Sequence, residues 1–527
     1  MFGTTDKKGI LILSIPENLV LSVDYYSGTL HNDQKEGFFV KKFKKAMALS
    51  LAMAMGLSVV ACGGTSDATT AAATEADKTE ADSTEAESTE ATSAEGTDAS
   101  ASVLNIYCWN EEFKSRLTDH YPGYEVVDAT HGKIGDVSVV WTITPSDNGA
   151  YQDKLDDALS NRDSKSADEQ VDLFLLEADY ALKYVNTDYT MAISDLGITA
   201  DDIKNQYKYT QDIVTDSNGV LKGLSWQGCP GVLIYNREIA KDVLGSDDPD
   251  TVQESVKDWA TFKETAKAMK DKGYLMTSTV DDTYRVFSDN ASSPWVVDGK
   301  VQIDSRLDEW VDLSKEMADA GQTQTAALWS NEWKAGFYPA GTTSGSLDDD
   351  GTTVEGLGVF CYFGPAWLID FCMSADDEAS VAYKGGWGAT TGPEGFSWGG
   401  TWIAAATGTD NADLIADIMK QLTCNTDIMK DIVTADNDFV NDKPAMEAMA
   451  ADTSYGDKVL GGQNALSMFC AGAEKIDRSN QGAYDQGCNE EFQGAMRNYF
   501  QGNATKEEAL DLFKKAIVER YPALEVE

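Results

Sequence analysis

The sequence is poor in basic residues and in histidine, and each shortage excludes a class of function. Its 527 residues carry 42 Lys and Arg against 88 Asp and Glu, a formal net charge of −46. Nucleic-acid binding needs clustered basic charge that displaces phosphate counterions, so this balance argues against it. Of the three histidines, only two lie beyond residue 62, which is too few for a His-based metal or catalytic cluster. We therefore expect no metal and no cofactor.

Long apolar runs and paired cysteines are also missing. Beyond residue 62, no stretch approaches the length of about 18 apolar residues that indicates a transmembrane helix. The seven cysteines there form no C-x-x-C pair, and several lie in apolar runs, so we expect most of them to be buried free thiols. The nucleotide-binding pattern G-x-x-x-x-G-K-[ST] does not occur, so no ATP-hydrolysing site is expected in this chain.

Residues 1–62 predict a targeting segment rather than a folded domain. A basic region at Lys41–Lys45 precedes an apolar run, Ala46–Ala61, that is shorter than a comfortable bilayer span of about 20 residues. The run ends in the letters VVAC and resembles a bacterial lipobox, in which Cys62 is diacylated and becomes the new N-terminus. An uncleaved anchor helix is the alternative. The lipobox implies attachment to the outer face of the bacterial cytoplasmic membrane, in a Gram-positive-type envelope.

A signal peptide begins close to its basic region, whereas forty residues precede Lys41 here. This distance suggests that translation starts after Met1. Lys35-Glu36-Gly37 is compatible with a purine-rich ribosome-binding sequence read as protein. Val40 would then be a GUG start codon. A genuine long leader is the alternative.

Residues 63–102 predict a disordered acidic tether. They consist mostly of Thr, Ser, Ala, Glu and Asp, and Thr-Glu-Ala recurs with a period of five that fits neither a helix face nor a strand. Such a segment cannot bury enough apolar area to offset the entropy lost on ordering. As a flexible coil it spans roughly 35 Å, enough to hold a domain clear of the membrane.

From residue 103 onward, short apolar runs alternate with helical patterns, which indicates an α/β fold. The predicted strands are Val103–Tyr107, Val137–Ile143, Val171–Leu176, Gly231–Tyr235, Leu357–Phe363 and Thr401–Ala406. A helix is predicted after Asp258, with Asp258 as N-cap and Gly273 just past its end. The last helix begins at Thr505 with a capping box to Glu508.

In their order along the chain, several sequence blocks resemble the extracellular solute-binding proteins of carbohydrate ABC transporters, the maltose-binding-protein-like family. The opening block is LNIYCWNEEF at 104–113, followed by VDLFLLEADYALKYV at 171–185. The crossover block LSWQGCPGVLIYNREIA at 224–240 ends in a Tyr-Asn-basic triplet, which is typical of the family. The later blocks lie at 258–274, 358–371, 396–406 and 490–510. Together they span some four-fifths of the chain.

The resemblance implies a two-lobed periplasmic-binding-protein-like (type II) fold with a hinge and an interlobe ligand cleft. By analogy, lobe one comprises residues 103–225 plus 395–445, and lobe two comprises residues 226–394 plus 446–527. It also implies a function without catalysis. A monomer captures a neutral mono- or oligosaccharide outside the cell and delivers it to ABC permease subunits, through which an ATPase acts.

Aromatic residues lie beside acidic or amide residues at predicted strand ends and crossovers, where open α/β sheets bind ligands. Sugar faces pack on aromatic rings, and sugar hydroxyls are bound by carboxylates and amides. The candidate ligand contacts are Trp109, Asn110, Glu112, Asp179, Tyr180, Trp226, Gln227, Asp282, Tyr284, Trp367 and Trp398. The family has Trp directly after Gly-Pro, whereas here Ala366 follows Gly-Pro and Trp367 comes next. A packing role is the alternative for each candidate.

Three other functions stay open on sequence alone. A secreted glycoside hydrolase would share the aromatic residues and could draw two catalytic carboxylates from the large acidic pool. A binding protein of the same fold could take another solute, such as a peptide or a polyamine, whose positive charge suits an acidic cleft. The third is a purely structural surface protein.

Overall fold

The computed structural model describes residues 4–5, 11–12, 102–347 and 351–526. The chain divides into two units, Met1–Ala71 and Ala72–Glu527. In the first unit, the described strands β1 (Thr4–Thr5) and β2 (Leu11–Ile12) pair in antiparallel fashion. The lipobox, Cys62 and the tether up to residue 101 lie outside the described residues, so these predictions stay predictions. All that follows concerns the second unit.

A seven-stranded mixed sheet forms the first lobe, by which we mean the elements packed on this sheet. Its strands are β3 (Val103–Cys108), β4 (Tyr124–Val126), β5 (His131–Ile134), β6 (Val137–Ile143), β7 (Leu173–Glu177), β8 (Leu224–Ser225) and β15 (Thr401–Ala405). They lie in the order β4-β5-β6-β3-β7-β15-β8. The central strand β3 pairs in parallel with β6 and β7, whereas β15 is antiparallel to β7 and β8. The late strand β15 thus returns to a sheet that the chain had left after β8.

A four-stranded sheet forms the second lobe. Its strands are β9 (Val232–Asn236), β10 (Leu275–Thr277), β13 (Val359–Gly364) and β14 (Trp387–Thr390), in the order β10-β13-β9-β14. The strands β11 (Val296–Val297) and β12 (Lys300–Val301) pair with each other as a separate antiparallel hairpin. All residues of β9, β13 and β14 are buried, as expected for strands covered by helices on both faces.

Helices follow and cover these strands. In the first half of the chain they are α1 (Glu112–His120), α2 (Ala150–Ser160), α3 (Ala181–Val185), α4 (Lys208–Asp212), α5 (Arg237–Leu244), α6 (Pro249–Val256) and α7 (Trp259–Asp271). The later ones are α8 (Tyr284–Ser288), α9 (Ser305–Asp319), α10 (Asn331–Lys334), α11 (Ala412–Cys424), α12 (Thr426–Asp436), α13 (Lys443–Ala451), α14 (Leu466–Ala473), α15 (Asp485–Phe500) and α16 (Lys506–Arg520). A single π-helical turn spans Leu368–Cys372.

The predicted capping residues of two helices are confirmed. The Asp258 carboxylate accepts a hydrogen bond from the Thr261 backbone N–H at the start of α7, and Gly273 beyond its end has a φ of 86°. Thr505 and Glu508 form the predicted capping box at the start of α16. These caps satisfy N–H groups that have no partner within the helix, so they fix where the helices begin.

The seven cysteines of the described unit are free thiols, and four of them, Cys108, Cys229, Cys361 and Cys488, are buried. Among the described residues, no helix has both the length and the apolar character needed to cross a membrane. No group of three His, Cys, Asp or Glu side chains in those ranges could hold a metal ion.

Candidate functional site

Three chain segments lie side by side between the two lobes. Residues 226–231 connect β8 to β9, and residues 391–400 connect β14 to β15. The Gly231 N–H donates to the Phe396 carbonyl over 2.8 Å, and the Trp398 N–H donates to the Cys229 carbonyl over 3.1 Å. On the other side, residues 439–441 pair with the first segment through hydrogen bonds of 2.9 and 2.7 Å to the backbone of residues 228 and 226. These segments form the hinge.

Three tryptophans meet where the hinge joins the second lobe. The ring centroids of Trp367 and Trp398 are 4.9 Å apart, and Trp329 stacks on Trp367 at 6.2 Å with an interplanar angle of 16°. The Trp367 indole N–H donates to the Trp398 carbonyl over 3.2 Å. Trp329 is 51% exposed and has a φ of 70°, a backbone conformation that is strained for a bulky side chain. We call these three residues the tryptophan cluster.

Glu177, at the end of β7, brings a carboxylate of the first lobe close to this cluster. Gly399 lies between them, since a Cβ added there would be 3.5 Å from the Trp367 ring and 3.7 Å from Glu177 Oε1. Glycine at this position, with a φ of 69°, keeps the space between ring and carboxylate free. The arrangement offers an aromatic face and a hydrogen-bond acceptor to one ligand.

An ion pair joins the two lobes next to Glu177. Arg285 on α8 donates to both carboxylate oxygens of Asp179, over 2.7 and 2.5 Å. The Asp179 backbone N–H donates to Glu177 Oε2 over 2.8 Å, which fixes the carboxylate of Glu177. Both oxygens of Asp179 are therefore already engaged.

A second aromatic group lies in the first lobe. The Trp109 ring, partly exposed, packs edge-on against Tyr151 at 5.4 Å and against Tyr180 at 6.4 Å between centroids. The Tyr180 hydroxyl is buried and has no hydrogen-bond partner among the described residues. Since an unpaired buried hydroxyl is costly, it is available to a ligand that reaches it.

Acidic groups of the first lobe also meet the hinge. The Gln227 amide donates to Glu112 Oε1 over 2.6 Å and to Asp438 Oδ2 over 3.0 Å. Arg116 lies 3.4 Å from Asp438 and 3.0 Å from Asp436, so one cation serves several carboxylates. This network fixes the orientation of the first hinge segment relative to α1.

Burial controls the protonation of these carboxyl groups. Burial and the neighbouring Asp179 carboxylate raise the pKa of Glu177. Burial also acts on Asp179, but the Arg285 guanidinium more than offsets it, so the pKa of Asp179 is lowered. Burial raises the pKa of Glu112 to about 7. Near neutral pH, Glu112 is therefore readily protonated, and Asp179 stays ionised.

Comparison with known proteins identifies the family. The sequence profile of the bacterial extracellular solute-binding proteins matches residues 128–457, more than half of the chain. The chain belongs to the bacterial extracellular solute-binding proteins. No curated protein sequence matches it.

Solved structures of other solute-binding proteins have the same fold. The ABC transporter associated binding protein of B. animalis subsp. lactis, in complex with β-1,6-galactobiose, is 17% identical and has a TM-score of 0.56, covering 81% of this chain and 100% of that one. The sugar-binding protein MalE of Xanthomonas citri is 14% identical with a TM-score of 0.57, covering 80% and 98%. The galacto-N-biose-/lacto-N-biose I-binding protein of Bifidobacterium longum is 14% identical with a TM-score of 0.55, covering 82% and 100%. The predicted two-lobed fold is confirmed; the lobe boundaries stay predictions.

Most predicted contacts of this solute-binding protein lie near the hinge or between the lobes. The structure brings Trp367 together with Trp398, Trp109 with Tyr180, and Glu112 with Gln227. The Asn110 side chain accepts from the Glu112 backbone N–H over 3.1 Å at the start of α1. Their roles as ligand contacts stay predictions.

Three predicted contacts lie in the protein interior. Trp226 has no exposed surface and stacks on Phe113, with ring centroids 5.6 Å apart. Asp282 accepts from the Trp333 indole N–H over 2.7 Å, and the Tyr284 hydroxyl donates to Asn489 over 2.5 Å. Burial favours packing roles for Trp226, Asp282 and Tyr284, although ligand contact by them stays a prediction.

Sequence reasoning missed Trp329, Glu177 and Arg285. Glu177 and Arg285 belong to the mixed acidic and aromatic stretches at strand ends. The proximity of Arg285 to Asp179 depends on how the two lobes meet, which the sequence does not show. Trp329 lies in a loop before α10 and carries no sequence signal at all, because neither a strand end nor a crossover precedes it.

Residues 395–399 of this solute-binding protein read G-F-S-W-G and so match the spacing of a hydrolase nucleophile elbow. That motif requires an exposed Ser on a strand-to-helix turn. Here Ser397 lies in the hinge and is buried, and its hydroxyl donates to Asp289 Oδ2 over 2.8 Å. The structural context of the motif is therefore not present at this serine.

Proposed function

We propose that this protein is the ligand-capturing subunit of an ABC importer and that its ligand is a neutral sugar or short oligosaccharide. The observation that supports this most strongly is that the tryptophan cluster and Glu177 both lie next to Gly399. A pyranose ring can stack on a tryptophan face while its hydroxyls donate to the carboxylate. Two of the similar structures are binding proteins of ABC transporters in complex with sugars, β-1,6-galactobiose in one and lacto-N-biose in the other.

Hinge closure would complete the site. Trp109 and Glu177 belong to the first lobe and Trp329 and Trp367 to the second, so a ligand contacts both sets only when the lobes close. The closed form around the ligand is then stabilised by contacts that the open form lacks. The closed form would be the one that permease subunits in the membrane recognise.

The test is isothermal titration of the full chain with gluco-, xylo-, manno- and galacto-oligosaccharides. Saturable one-to-one binding of at least one oligosaccharide supports the proposal. We also expect no cleavage products after prolonged incubation, and turnover would instead support the hydrolase alternative. Absence of binding across the panel would contradict the proposal.

A cationic solute such as a polyamine is a second candidate. The observation that favours it is the partly exposed tryptophan cluster, since aromatic faces attract cations. Titration with spermidine separates the two candidates. Binding of spermidine without binding of any sugar would replace the first proposal by the second.

We also propose that Cys62 carries a diacyl lipid that holds this extracellular protein at the membrane. The VVAC sequence before a Gly pair and the acidic tether support it. Cys62→Ser should shift the protein from the membrane fraction to the medium, whereas Cys470→Ser, at another free thiol, should not. Membrane retention of Cys62→Ser would contradict the lipid anchor.

A further inference from the structure

Two side-chain contacts bridge the lobes away from the hinge. One is the bidentate pair of Asp179 and Arg285. The other is a hydrogen bond of 3.0 Å from the Gln152 amide to the Gln486 side-chain oxygen. Asp179 and Gln152 belong to the first lobe, next to β7 and on α2, whereas Arg285 and Gln486 lie on α8 and α15 of the second. These contacts can exist only while the lobes are together.

The ion pair is shielded from water. The side chains of Arg285 and Asp179 are only 15% and 18% exposed, and Glu177 is close enough to add to the negative charge around the guanidinium. Removing one partner of such a pair leaves the other buried and uncompensated, which costs far more than losing an exposed ion pair. In the closed form, loss of Arg285 would leave the carboxylates of Asp179 and Glu177 side by side.

A second carboxylate lies near Arg285, just past the end of its helix. Asp289 lies one turn further along the chain, where its carboxylate accepts from the backbone N–H and the hydroxyl of Ser397 in the hinge, over 2.7 and 2.8 Å. Its other oxygen is bound by Arg478. Asp289 adds to the negative charge around Arg285, but its own oxygens are already engaged by Ser397 and Arg478.

We propose that Asp179 and Arg285 form a latch that holds the two lobes together in the absence of ligand. The protein without ligand then populates the closed form, and a ligand enters only when the latch opens. This inference rests on the two-lobed fold and not on the identity of the ligand.

Hydrogen–deuterium exchange of the ligand-free full chain tests the latch through Arg285→Gln. We expect peptides at 177–186 and 284–290 to exchange about tenfold faster, because opening exposes both faces. Small-angle scattering should show a larger radius of gyration for the same variant. The matched control is Arg497→Gln, which removes a buried pair with Asp281 inside the second lobe and should leave exchange at 177–186 unchanged.

Asp179→Asn provides a second, isosteric variant should Arg285→Gln fold poorly. It removes the charge from the first lobe and should accelerate exchange at 284–290 in the second. If both variants keep the exchange rates and radius of gyration of the unaltered protein, the latch proposal is wrong. Because no ligand is present in these experiments, that result would not contradict the proposal that the protein binds a sugar.

Discussion

At the residue scale, the site depends on a few side chains whose surroundings differ from those of ordinary core residues. Trp329 combines high exposure with a strained backbone, and Glu177 is only partly exposed and lies beside another carboxylate. Both conditions cost stability, and such costs are typical of ligand sites. The buried Trp226, Trp310 and Trp333 show no comparable cost in backbone conformation or exposure.

Loss of one tryptophan of the cluster should weaken sugar binding. We expect Trp329→Ala and Trp367→Ala each to raise the Kd by about tenfold, a loss of about 1.4 kcal/mol, because a stacking face is removed. Titration calorimetry with the tightest-binding oligosaccharide measures this. Tyr189→Ala, which removes an exposed ring outside the cluster, should leave the Kd unchanged. Equal affinity of all three variants would show that the cluster is not the ligand platform.

The pKa of Asp282 predicts how stability depends on pH. Burial raises this pKa from 3.8 to about 7. Since the folded-state pKa lies above the unfolded one, the stabilisation is complete below pH 3.8 and is lost as the pH rises through about 7. The free energy of unfolding should therefore be higher at pH 5.5 than at pH 8, with about 2 kcal/mol of the difference from Asp282.

Urea unfolding at the two pH values tests this. Asp282→Asn replaces the carboxyl by a neutral amide and should remove that part of the difference. Asp136→Asn, at an exposed turn, should retain it. If the free energy of unfolding of Asp282→Asn changes as much between the two pH values as that of the unaltered protein, Asp282 is not the origin of the pH dependence.

At the element scale, six of the thirteen strands described in the second unit could be predicted, but the contacts across the cleft could not. Continuous apolar runs such as Gly231–Tyr235 and Thr401–Ala406 correspond to strands within one or two residues, because buried strands need apolar side chains on both faces. The edge strand β4 and its neighbour β5 are largely exposed and were missed. Arg285 pairs with a residue 106 positions away, and no local pattern encodes such a contact.

The hinge depends on close packing of its segments. A Cβ at Gly231 would overlap the Phe396 ring in the neighbouring segment. Gly231→Ala should therefore lower the free energy of unfolding by about 1–3 kcal/mol through overpacking. Gly494→Ala, within α15 and with nothing near its Cβ, should raise it by about 0.5–1 kcal/mol, since alanine favours helix. Urea unfolding compares them, and equal stability of the two variants would contradict this view of the hinge.

At the scale of the whole molecule, the two larger sheets, the three-segment hinge and the cross-lobe ion pair support the proposal of a receptor that opens and closes. Residues of both lobes lie beside Gly399, and the family is one of solute-binding proteins. The net charge of −46 does not indicate where a ligand binds, whereas the aromatic residues are the ligand contacts that we propose.

The most direct test is a crystal structure of the protein with the oligosaccharide that binds most tightly. We expect a sugar ring between the lobes, stacked on Trp329 or Trp367, with a hydroxyl donating to Glu177. A sugar bound elsewhere, with the tryptophan cluster and Glu177 untouched, would contradict it.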